Sequence, residues 1–73
     1  MLLRWEFVRG HDRVVCQMAR EADCLFSVAL LPFGRIGKAA ASIFESTSAA
    51  LRYHASLSAG LRDTGWTLVG YTH

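Results

Sequence analysis

The sequence predicts an α+β fold: an antiparallel meander of three or four strands, one long helix on one face, then a C-terminal strand (β-β-β-(β)-α-β). Three observations carry that prediction. From Leu2 to Met18, apolar and polar residues alternate around Gly10-His11. From Thr47 to Leu61, apolar and small residues recur at helical spacing. After Gly65, "WTLVGY" alternates again as a closing strand. A chain of 73 residues has room for a single domain, residues 1–73. With 52% hydrophobic residues in periodic order, it is expected to fold rather than stay disordered.

In the opening stretch Leu3, Trp5 and Phe7 point one way, and Arg4 and Glu6 the other. Folding the chain at Gly10-His11 sets Phe7 against Val14, Trp5 against Cys16 and Leu3 against Met18, all apolar. On the opposite face Arg4 meets Gln17, and Val8 meets Arg13. A two-residue loop with glycine first suits a type II′ turn, which needs positive φ there. Val14, Val15, Met18, Ala22 and Leu25 also fit a helical stripe capped by Asp12. The strand reading is preferred, because a helix would leave Leu3–Val8 without a neighbour for its backbone donors.

"CLFSVALL" is apolar on both faces, as a central strand would be. Phe26 is expected to pair with Cys16 and Val28 with Val14, making Cys16 and Cys24 diagonal neighbours on the apolar face. Their Cβ atoms would then be too far apart for a bridge, so both are expected as free thiols acting as small hydrophobes.

"LLPFGRIGKAAAS", Leu30 to Ser42, looks at first like the glycine-rich turn of a dinucleotide site. Gly34 and Gly37 match two of the three glycines, but Pro32 stands at the first, where a fixed φ near −65° forbids the turn. Ala39 replaces the Ser or Thr that a P-loop places after its lysine. No cofactor is expected. Pro32 and Gly34 read instead as turn chemistry, after which Ile36–Phe44 runs back as a weak fourth strand. An early helical start remains open for residues 35–44, with Ser42 and Glu45 as its capping box.

The helix that follows has Ser46 as its N-cap and an inner stripe of Thr47, Ala50, Leu51, His54, Leu57, Ser58 and Leu61. Gly60 or Gly65 ends it. His54 is the weak catalytic candidate. Its helical neighbours at i±3 and i±4 are Ala50, Leu51, Leu57 and Ser58, none of them a carboxylate that could orient it as a base. The bland reading, a packed histidine at the rim of the core, is preferred. The histidines and cysteines show no zinc-ligand spacing, so no metal is expected.

"RWEFVRG" opening a hairpin and "SAALRYHASLSAGLRDTGWTLVGY" running from helix to strand resemble small bacterial α+β proteins whose ends read as a helix, Gly-Trp-x-Leu and a strand. The resemblance implies this architecture, with Trp66 closing the sheet edge against Leu61, and implies no activity.

Functional expectations follow in order. The central strand needs cover on its second face. A homodimeric structural or protein-interaction module without catalytic activity is therefore expected, its interface drawn from Leu25, Ala29, Leu31, Val69 and Tyr71, with an unidentified protein partner as a further possibility. The alternative is weak nucleic-acid binding through a basic patch of Arg9, His11, Arg13, Arg35 and Lys38, although the net charge is only +2. A small enzyme built around His54 ranks third. Two cysteines and no secretory leader suggest the cytoplasm. The longest apolar run is too short to span a bilayer, which takes about 20 residues.

Overall fold

The computed structural model describes residues 2–31 and 41–72. Strands β1 (Leu3–Arg9), β2 (Asp12–Ala22), β3 (Leu25–Leu31), β4 (Ser42–Phe44) and β5 (Thr67–Thr72) form one sheet in the order β4-β3-β2-β1-β5, every neighbouring pair antiparallel. Helix α1 (Thr47–Asp63) lies across one face. The expected Pro32–Gly34 turn, the Gly34 and Gly37 stretch, and Arg35 and Lys38 lie outside the described residues. Of the expected fourth strand, Ser42–Phe44 is present and pairs with Phe26–Val28.

The first hairpin takes the expected register residue for residue, from Leu3↔Met18 to Val8↔Arg13. Gly10 has φ 61°, and no described non-glycine residue has positive φ. That combination excludes a type I′ turn, which would need His11 in the left-handed region too, and fits type II′. Residues 13–22 are therefore strand, and the helical alternative for residues 13–25 falls.

The second hairpin departs from expectation. Phe26 pairs with Arg20, Val28 with Met18 and Leu30 with Cys16, rather than Phe26 with Cys16 and Val28 with Val14. Strand β2 continues to Ala22 and turns tightly at Asp23-Cys24. The expected register would have left the backbone groups of residues 17–22 unpaired, and buried or not, an extended strand gains by filling its ladder. Arg20 is accommodated at the end of the apolar face by laying its guanidinium over the Phe26 ring, 5.6 Å from the centroid. Because the slip is an even number of residues, every side chain keeps its face. Cys24, however, leaves the apolar face for the exposed turn, while Cys16 is buried; both thiols are free.

Helix α1 begins where Ser46 Oγ accepts the Ala49 N–H at 3.1 Å. Ser42 is in β4, so the Ser42–Glu45 capping box does not form. The inner stripe is turned relative to expectation. Ala50, His54, Ser58 and Leu61 are buried, with Tyr53 and Leu57 packed at the margin, whereas Thr47 and Leu51 are exposed. Leu51 sits about 100° around the helix from Ala50, just past the arc that faces the sheet.

The helix runs through Gly60 and stops at Thr64. Gly65, at φ 94°, donates to the Arg62 carbonyl at 3.1 Å, and Trp66 N–H reaches the Leu61 carbonyl at 2.9 Å. These two bonds make a Schellman motif, and its accompanying apolar contact is Trp66 with Leu61, both in the core. The core itself is one cluster, Phe7, Val14, Cys16, Met18, Phe26, Val28 and Leu30 from the sheet meeting Ala50, Leu61 and Trp66.

The two helix-end glycines behave oppositely on substitution. Gly65→Ala forces a Cβ into left-handed backbone and is expected to cost about 1–2 kcal/mol. Gly60→Ala, in ordinary helical backbone where a Cβ meets nothing within 4 Å, is expected to stabilise by about 0.5–1 kcal/mol. Urea denaturation of the two variants measures both signs.

Candidate functional site

Two places gather side chains with chemistry: the seam beneath α1, and the end of the helix where it turns into β5. At the seam, His54 and Ser58 sit one turn apart on the inner stripe, over the β1–β2 pair Trp5↔Cys16. His54 is not at the rim of the core but sealed within it, 1% exposed. Its Nε2 lies 3.1 Å from the Cys16 carbonyl oxygen. A carbonyl only accepts, so Nε2 carries the proton of the neutral ring and donates it. The Trp5 ring meets the imidazole edge to face at 5.1 Å, and Arg62, two turns further along α1, places its guanidinium 5.7 Å from the Trp5 centroid.

Burial controls the electrostatics here. It holds the His54 pKa below its ordinary 6.5, opposed by the bond to the Cys16 carbonyl. It pushes the Cys16 thiol up to about 11, opposed by the Ser58 hydroxyl beside it. A thiol with that pKa is protonated at neutral pH, and the thiolate is the nucleophile. The imidazole is bonded to backbone rather than to the thiol, so the base–nucleophile contact of a covalent catalyst is not made. Trp5 Nε1 is buried with no hydrogen-bond partner among the described residues, and Ser58 Oγ has the Cys16 thiol as its one polar neighbour there, outside ordinary hydrogen-bond geometry. Among the described residues no group of three His, Cys, Asp or Glu could hold a metal ion.

Of the expected basic patch, Arg9, His11 and Arg13 are described. Arg9 lays its guanidinium 4.7 Å from the Trp66 ring centroid and donates to the Thr64 carbonyl at 3.0 Å, countering the negative end of the helix dipole. Arg13 donates to Glu6 at 2.7 Å, and Arg4 binds the other oxygen of the same carboxylate. The hydrogen bond from Arg4, aided by both positive charges, holds the Glu6 pKa below its ordinary range against a smaller desolvation effect. His11 is exposed at the hairpin tip.

The expected interface residues divide between two surfaces. Leu25, Ala29 and Leu31 alternate along β3 on the face away from α1, with Leu31 opposite Val15 and Ala29 opposite Gln17. Ile43, 58% exposed and opposite Ser27, belongs to the same face. Sequence reasoning passed over it because a three-residue strand carries almost no alternation. Val69 and Tyr71, 53% and 64% exposed, are on β5 at the sheet edge. A groove of about 430 Å3 opens beside the end of α1, and His54 is not among its walls. Sequence reasoning missed the groove altogether. Its only legible sign was Gly60, an unneeded glycine inside a helix.

Two measurements check the seam. In the native protein Cys24 is expected to react with a thiol reagent at once and Cys16 only on unfolding, giving one fast and one slow equivalent. The folded protein also resists protonating His54. The unfolded chain takes up that proton below pH about 6.5, so stability is full above this value and declines as pH falls below it. Urea midpoints at several pH values should show this decline, and His54→Gln should flatten it. A comparison with protein-family models finds none that matches, and comparisons with curated proteins and with solved structures find no match either.

Proposed function

We propose that the protein is a small homodimeric interaction module without catalytic activity, working in the cytoplasm, whose two copies join through β5. The observation that carries this reading is the character of that edge. β5, "TLVGYT", has no charged residue and no proline, the usual guards against strand addition, and it exposes Val69 and Tyr71. Tyr71 also ends an aromatic row that runs from Phe7 through Trp5 to the edge, with centroids 6.5 and 6.4 Å apart. A second copy would extend that row.

Antiparallel pairing of β5 with its copy, about a two-fold axis normal to the sheet, would make a continuous ten-stranded sheet with both helices on one side. β4 at the opposite edge is only three residues long, too short to template further strands, so assembly would close at two copies. Register between β1 and β5 shifts between Glu6 and Phe7, leaving Val69 without a partner on β1. A bulge of this kind twists the edge locally and is itself a guard against strand addition, so a second strand must follow the same twist to pair along β5. The apolar helix-free face, with Leu25, Ala29 and Leu31, would be left for a protein partner. Two free thiols suit a reducing compartment, and no helix among the described residues is long and apolar enough to cross a membrane.

The alternatives draw less from the geometry. Of the basic residues, Arg13 is already paired with Glu6, and Arg9 lies on the other face of the hairpin, against Trp66. His54 is sealed from solvent.

Size-exclusion chromatography with light scattering is expected to give twice the 8.1 kDa chain mass. Replacing Val69 and Tyr71 by lysine should return it to the chain mass with the circular dichroism spectrum unchanged. A wild-type chain that stays monomeric at about 200 µM, far above the Kd of a stable dimer, would remove the proposal.

A further inference from the structure

The groove at the end of α1 has no role in the assembly just described, yet it has the features of a binding site. Its volume, about 430 Å3, is that of an ordinary small-molecule site. Leu30 from β3, Leu57 and Leu61 from α1, and Trp66 from the following turn supply its apolar walls. Gly60 lies between them. Glycine inside a helix is destabilising relative to alanine, and the protein's own packing does not require it: the backbone is ordinary and a Cβ would touch nothing within 4 Å. What the missing side chain does provide is room in the groove.

The polar side of the groove is Arg9. Its guanidinium is held flat against Trp66 and spends an N–H on the Thr64 carbonyl, both neutral partners. Of its five N–H donors these contacts leave others to bind an acceptor, in a planar arrangement that matches a carboxylate. The surroundings limit the charge such an acceptor can carry. The carbonyl end of α1, against which Arg9 lies, is electronegative. A dianion such as a phosphate monoester meets this negative potential twice over, whereas a single carboxylate is matched by the one guanidinium.

We propose that this groove binds a small amphipathic monocarboxylate, its apolar body between Leu57, Leu61 and Trp66 over Gly60 and its carboxylate on Arg9. None of the groove's lining residues belongs to β5.

Octanoate is a suitable probe, with octylamine as the same chain carrying the opposite charge. In two-dimensional amide NMR of the full chain, octanoate is expected to move the Gly60 amide and the Trp66 indole N–H saturably. Octylamine should bind at least tenfold more weakly. Gly60→Leu, which fills the groove from an open position, should weaken octanoate at least tenfold. Arg9→Gln should instead bring octanoate and octylamine to within about threefold of each other, since charge selection is lost while the walls remain. The proposal is overturned if octanoate moves neither resonance up to about 5 mM, several times the Kd of a millimolar ligand. It is equally overturned if octylamine binds as well to the wild type, or if binding survives Gly60→Leu unchanged.

Discussion

The register of the β1–β2 hairpin is the constraint on which the remaining structure rests. It gathers Leu3, Trp5, Phe7, Val14, Cys16 and Met18 on one face, and the side-chain period of two leaves no intermediate arrangement. A slip of β2 by one residue would send Val14, Cys16 and Met18 to the other face and bring Arg13, Val15 and Gln17 beneath the helix. The turn enforces the same answer locally, because Gly10 at φ 61° closes the loop in the one geometry that His11 tolerates. Two levels of specification agree, and β3 and β5 add to the two sides of a ribbon whose faces are already decided.

A single helix can then cover only one of those faces. Its inner stripe is narrow and unusually polar, with His54 and Ser58 among four buried residues. The His54 bond to the Cys16 carbonyl ties the helix to the central strand, at the cost of a ring that must stay neutral. The buried Trp5 Nε1, without a hydrogen-bond partner among the described residues, makes this seam less stable than an apolar one of the same size. At the seam a protonated thiol and a neutral imidazole pack together, the imidazole bonded to backbone rather than to the thiol.

Much of the fold was legible in the sequence because short-range signals agreed. Alternation with a glycine turn gave the first hairpin to the residue, and Ser46 announced the start of α1. The second hairpin was not legible, since "AREA" reads as polar loop while in the sheet its backbone pairs and Arg20 stacks on Phe26. The phase of the helix was also misjudged at Leu51. A leucine at the margin of the stripe is exposed or buried according to how the helix is rolled on the sheet, and only the sheet determines that. Of the candidate residues, Val69 and Tyr71 were legible as outward-facing because "WTLVGY" alternates, and both are exposed on β5. The groove walls were not, because Arg9, Leu30, Leu57 and Trp66 come from four separate elements.

What the sequence determined by itself was therefore local: the strand and helix periods, the Gly10 turn, the Ser46 cap and the Gly65 stop, each set by backbone sterics and hydrogen bonds within a few residues. What the tertiary structure alone decided was the β2–β3 register, the roll of α1, the burial of His54 and the meeting of Arg9 with Trp66. Those outcomes depend on filling a ladder and covering a face, which are sums over segments far apart in the chain, and no window of sequence contains them.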